Sequence, residues 1–169
     1  MLDRTTTRNL ELVEPMLGSN RKATLFWTLN RTGTGAGGRL LRSWMLRPLT
    51  DLELIGLRQE AIGELMQDHG LRSELATLLK QVADIERIMA RVGCGRANAR
   101  DLASLGRTLA LLPEFLSALE SVQSERLERL VLQLTGVEAL AERLTGSLVE
   151  SPPPGINEGG LFRTGVSTE

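Results

Sequence analysis

The chain has no tyrosine, one cysteine, one histidine and two lysines, and each shortage narrows what it can do. Aromatic residues make up 3% of it, so a core must come from Leu, Ile, Val, Ala and Met, which favours helix over sheet. A lone Cys94 forms no intramolecular disulfide, which fits a reducing compartment. One cysteine and one histidine, His69, do not make a structural zinc set. No window approaches 18 uninterrupted apolar residues, so no membrane span is expected. The opening MLDRTTTRNL lacks the apolar stretch of a secretory signal, and a cytoplasmic location is the expectation. Lys22 follows Arg21 and Lys80 follows Leu79; neither sits in the Gly-Lys-Ser/Thr setting of a P-loop, so no nucleotide hydrolysis of that kind is expected.

What is present is ordinary in amount and uneven in placement. Of 169 residues, 41% are hydrophobic and 24% charged, usual values for a globular protein. The net charge of −1 hides a split. Residues 1–50 hold eight cations against three acids, and the remainder twelve against eighteen. Such a basic end suits a nucleic acid or an acidic partner, or else simply solvated helix faces. Eighteen of the twenty cations are arginine, whose forked geometry suits structural staples between elements.

Helical spacing dominates. Residues 3–14, with Thr5 and Thr7 ahead of Leu10 and Leu12, read as an extended segment or short strand, broken at Pro15 and at Gly18-Ser19-Asn20. A helix is expected to begin near Ala23 to Leu29. Another runs from Arg39 with Leu40, Leu41, Trp44 and Met45 on one stripe, and ends at Pro48. Thr50-Asp51-Leu52-Glu53 reads as a capping box for the next, whose buried face would be Ile55, Ile62, Leu65 and Met66. Gly70 would stop it, leaving His69 at a helix C-terminus where an imidazolium complements the dipole. Further stripes follow through Leu71–Val82, Ile85–Val92, Leu102–Leu112 (capped by Asn98, with Asp101 favourable to the helix dipole), Leu116–Val122, Leu127–Leu134 and Val137–Leu148. Pro152-Pro153-Pro154-Gly155 ends the helical region, and the glycine-rich tail reads as a turn or edge strand. The fold class is mainly α: a multi-helix core with short extended segments at both ends.

One stretch admits a chemical reading. Gly33, Gly35 and Gly38 have the G-x-G-x-x-G spacing of a phosphate cradle, and Glu53 lies about 20 residues on. Such a site also needs a parallel sheet, and no strand-like run follows Thr50. The mechanical reading is therefore taken: the glycines adopt backbone angles other residues avoid and turn the chain sharply before Arg39. The acidic pairs Glu60/Glu64 and Glu138/Glu142 read as solvated faces, and Cys94 as a small residue in a turn.

In order, the blocks resemble the central core, or lever, of the MutS-type DNA mismatch-recognition family. Leu2-Asp3, Thr6 and Arg8-Asn9-Leu10-Glu11-Leu12 resemble that family's LDxxTxRNLEL lead-in. Leu29, Thr32, Thr34, Gly37, Arg39, Leu40, Leu41, Trp44 and Pro48-Leu49 resemble its LDxTxTxxGxRxLxxWLxxPL block, with Asn30 where Asp is usual and Gly35 where Pro is frequent. Asp51, Ile55, Arg58-Gln59 and Ala61 follow DxxxIxxRQxA; Asp84-Ile85-Glu86-Arg87-Ile88, Arg91 and Arg100-Asp101-Leu102 follow DLERLxxR…RDL. Pro152-Pro153, Glu158-Gly159-Gly160 and Gly165 resemble the PP…EGGxIxxG exit.

The resemblance implies a partial core domain over 1–169: residues 2–28 as lead-in, 29–150 as helical core, and 151–169 as the exit toward a clamp this chain lacks. It implies a non-catalytic segment linking DNA clamp and ATPase, with ATP and Mg belonging to the full-length family protein and no cofactor in this chain. Implied partners are DNA through the missing clamp and mismatch-reading domains, the remaining core helices, the ATPase domain and a homodimeric second copy, with no membrane. The structural or interdomain residues it singles out are Arg8, Asn9, Gly37, Arg39, Trp44, Pro48, Arg58 and Asp101. The alternative is a stand-alone helical module that binds nucleic acid through its basic first 50 residues. Where partner helices are missing, the segment is expected to expose part of its apolar stripe.

Overall fold

Local capping explains most of the helix starts. The computed structural model of the chain describes residues 2–18 and 21–166, and these are mainly helical. In chain order the α-helices are α1 (Arg4–Asn9), α2 (Leu25–Leu29), α3 (Gly35–Leu46), α4 (Leu52–Gln67) and α5 (His69–Leu79). There follow α6 (Ile85–Gly93), α7 (Ala99–Ala110), α8 (Leu112–Ala118), α9 (Glu125–Val131) and α10 (Glu138–Ser147). Among the described residues the only β-pairing is one antiparallel bridge, Leu148 with Phe162, so the tail forms a bridge and not a strand. No helix there is long and apolar enough to cross a membrane. The chain divides into two compact units, up to Gln59 and from Glu60 on.

In the first unit, the segment expected to be extended is the helix α1. Asp3 decides this: its Oδ1 accepts from the Thr6 amide at 2.9 Å and its Oδ2 from the Thr6 hydroxyl at 2.6 Å. An N-cap of this kind outweighs the β preference of three threonines. The same contacts, hydroxyl first, hold the Asp3 carboxyl below its ordinary range. The chain then leaves the helix through Glu11, at φ +46. The carbonyls of Glu11 and Leu12 accept from the Leu25 and Phe26 amides at 3.0 and 2.8 Å, satisfying the first free donors of α2. Leu12 and Thr24 are buried there, and Thr24 caps α2 as it accepts from the Trp27 amide. The break expected at Ser19 and Asn20 lies outside the described residues.

The glycine stretch is not a sharp turn. None of Gly33, Gly35, Gly37 and Gly38 has a positive φ; three of them form the first turn of α3, capped by the Thr34 hydroxyl. Gly37 is needed for space, since a Cβ there would lie 3.0 Å from Thr34 Oγ1 and 3.3 Å from Thr32 Cβ. Pro48 does end the helix, with Arg47 at φ −132, ψ 67, outside the α region. The cap of α4 is shifted by one residue from the expected box. Asp51 Oδ1 accepts from the Glu53 and Leu54 amides at 2.9 and 3.2 Å. A full carboxylate charge at the positive helix end outcompetes the Thr50 hydroxyl.

In the second unit, the helix stop falls earlier than expected. α4 ends at Gln67, and Asp68 caps α5 by accepting from the Leu71 amide at 2.8 Å. His69 therefore begins a helix and does not close one. Arg72 takes the closing role, donating to the Leu65 and Met66 carbonyls at 3.2 Å each. The face predicted for α4 is half right: Leu65 packs against the core beside the buried Ala61 and Ile55 is partly buried, while Ile62 and Met66 are 53% and 65% exposed. The core gathers Ala61, Leu71, Leu119, Val122 and Leu127. α7 packs on α10 at Gly106, where a Cβ would stand 2.9 Å from Leu144 Cβ. Large apolar side chains stay in water across the described residues, Leu17, Leu52 and Leu132 above all.

Candidate functional site

Seven of the eight residues singled out in the sequence belong to the first unit, and the structure sorts them into three places. Trp44 near the end of α3 and Arg58 on α4 meet across the Pro48 turn. The Arg58 guanidinium sits 3.9 Å from the Trp44 ring centroid. A stack of this kind, half-buried, contributes about 0.5–1 kcal/mol and fixes the angle between two helices that a proline has separated. Gly37 and Arg39 stand at the other end of α3, where the glycine lets Thr34 and Thr32 close against the helix start. Pro48 itself is exposed.

Arg8 and Asn9 lie elsewhere. They end α1, are exposed, and line a cleft of about 700 Å³ together with Arg4 and Arg42.

Asp101 anchors the second unit. Asn98 caps α7 as expected, and Asp101 turns that cap into a full capping box: the Asp101 amide donates to Asn98 Oδ1 at 3.0 Å and the Asn98 amide to Asp101 Oδ2 at 3.2 Å. Its other oxygen meets Arg91 Nη2 of α6 at 2.9 Å, so one buried carboxylate fastens α6 to the start of α7.

Sequence reasoning missed three further groups. The segment after α10 is held by arginines: Arg100 Nε donates to the Pro152 carbonyl at 2.8 Å, Arg107 Nη1 to Glu150 at 2.7 Å, and Arg163 Nε to Leu148 at 2.9 Å. The preference for Arg over Lys was the available signal, though it named no pairs. Second, Glu64 is more than a solvated face. Its two oxygens accept from the Gln123 and Ser124 amides at 2.6 and 2.9 Å, closing the N-terminal end of α9. Its carboxyl is held below the ordinary value of 4.5, first by the Ser124 hydroxyl and then by these amides, against a burial effect that raises it. The hydroxyl itself falls short of a well-formed hydrogen bond, so the two amide bonds are the firm contacts. Third, Glu138 and Glu142 rim an apolar groove of about 260 Å³ floored by Leu109, Leu112 and Leu116.

These contacts share one property. A planar guanidinium on a carbonyl, a carboxylate on two amides and a stacked ring all restrain direction as well as distance. Among the described residues no cluster of His, Cys, Asp or Glu is placed to hold a metal ion.

Comparison with known proteins gives a consistent result. Residues 5–164 match the family model described as MutS domain III. The DNA mismatch repair protein MutS of Synechococcus elongatus is 46% identical over 167 residues, covering 99% of this chain and 19% of that protein. The MutS proteins of Symbiobacterium thermophilum and Exiguobacterium are 43% and 44% identical, over 100% and 99% of this chain. The chain thus spans about a fifth of the length of the curated relatives it matches.

Proposed function

The chain belongs to the MutS domain III family, and from that premise we propose that it is the core, or lever, segment of a mismatch-recognition ATPase. In this reading it performs no chemistry of its own. It links a DNA clamp to an ATPase, with ATP, Mg and mismatched DNA bound by other parts of the full-length protein. Residues 2–28 are the lead-in, 29–150 the helical core, and 151–169 the exit toward the clamp. The remaining core helices, the ATPase domain and a second copy of the protein are its partners.

The observation that carries this reading is the family match over residues 5–164. The local geometry supports it. Coupling between remote sites requires an element whose arrangement both sites can bias. The Trp44–Arg58 stack over Pro48 and the arginines gripping the Leu148–Pro152 backbone are joints of that kind. The test is a Pro48→Ala change at the matching position of a full-length relative. Coupling between nucleotide and DNA affinity should change while nucleotide affinity alone is preserved; intact coupling rejects the proposal for this elbow.

A further inference from the structure

We infer that the cleft between α1 and α3 in the first unit is a docking site for an acidic peptide segment that mixes carboxylates with aliphatic side chains. Arg4 and Arg8, four residues apart on α1, line one wall, and Arg42 of α3 lines another. Among the described residues, none of these three makes an ion pair. Several arginines elsewhere are engaged internally: Arg91 on Asp101, Arg58 on Trp44, and Arg100, Arg107 and Arg163 on carbonyls. Three forked cations left open in one cleft, against the single lining carboxylate of Glu14, make a surface of positive potential. Carboxylates complement it with bidentate geometry.

Charge alone would serve a nucleic-acid backbone equally well. The rest of the wall distinguishes the two. Leu2, Val13, Met16 and Leu46 sit among the arginines. Phosphates gain nothing from these aliphatic seats, and a base would find an aromatic face only at Trp27, beyond Arg42. A peptide with apolar residues between its acids fills both kinds of position. The cleft also continues: a second hollow of about 290 Å³ shares Val13, Glu14 and Arg42 with it and reaches Phe26 and the 49% exposed Trp27. Arg42 therefore stands midway along a groove with an aromatic seat beyond it. That length suits an extended segment better than a single ion.

The inference is independent of the lever role, because it concerns what the first unit binds and not what it transmits. The test uses this chain and a short fluorescent peptide alternating glutamate with leucine and phenylalanine, read by anisotropy at low and moderate salt. Binding is expected, with Arg8→Gln and Arg42→Gln each weakening it roughly fivefold to tenfold. Arg143→Gln, on the exposed face of α10, should leave it unchanged. Arg8→Lys should recover only part, since charge returns without the fork. Circular dichroism of each variant separates lost binding from lost folding, and Arg4→Gln replaces any variant that unfolds. A polyglutamate probe of equal charge should bind more weakly. Equal binding of polyglutamate, tighter binding of a single-stranded oligonucleotide lost in the same variants, or indifference to Arg8 and Arg42 would each overturn the assignment.

Discussion

The two units spend their distinctive residues differently. In the first, only Leu12 and Thr24 are buried among the described residues, yet seven of the eight residues singled out in the sequence fall there. Their identity is fixed by caps, a proline turn, a ring stacked on a guanidinium, and open arginines. In the second, burial is extensive, and Asp101, Gly106 and Glu64 matter because helices close tightly around them. The first unit is specified by directional contacts at its surface and the second by packing. Recognisable motifs therefore need not mark the stable part of a molecule.

The sharpest way to break that contrast is a pair of glycine substitutions. Gly106→Val should cost about 3 kcal/mol, because the new side chain meets Leu144 Cβ and α10 must shift. Gly37→Val should cost about 1 kcal/mol, because it meets the Thr34 side chain and disturbs one cap. Urea denaturation of both variants measures the gap, and equal losses would dissolve the distinction. Hydrogen exchange should follow the same division. Amides of α1–α3 should open about 2 kcal/mol more easily than those of α7 and α10, since few buried contacts hold them; uniform protection would contradict this.

Two smaller effects sharpen the picture. Glu64→Gln should lower stability at neutral pH by about 1 kcal/mol, as a charged cap becomes neutral. The Glu64 carboxyl is depressed in the folded state, so its contribution is present above 4.5 and is lost as pH falls through the folded value. The difference in melting temperature between wild type and variant should therefore shrink below pH 4.5. The smallest effect is a double-mutant cycle on Trp44→Leu and Arg58→Gln, with an expected coupling of about 0.5–1 kcal/mol. Zero coupling would make the elbow a mere proximity.

Much of this organisation was legible in the chain itself. The Pro48 stop, the Asn98 cap and the helical stripes rest on interactions within four residues, and those are written in order along the sequence. Where the reading failed, two local rules competed. Three threonines favour a strand, but Asp3 beside them nucleates a helix; glycines suggest a turn, but Thr34 caps them into one. His69 lost the helix end to Arg72, three residues on, because Asp68 claimed the next helix start. The candidate site was only half readable: Trp44 and Arg58 were named, but not that they stack.

Sequence by itself determined the helical class, the family and several helix ends, because short-range hydrogen bonding and 3.6-residue periodicity are properties of neighbouring residues. Tertiary structure alone decided which face of α4 is buried, that Glu64 closes a helix some 60 residues away, and that the arginines divide into engaged and open sets. Those outcomes depend on which distant groups arrive within about 3 Å, and no linear spacing encodes that.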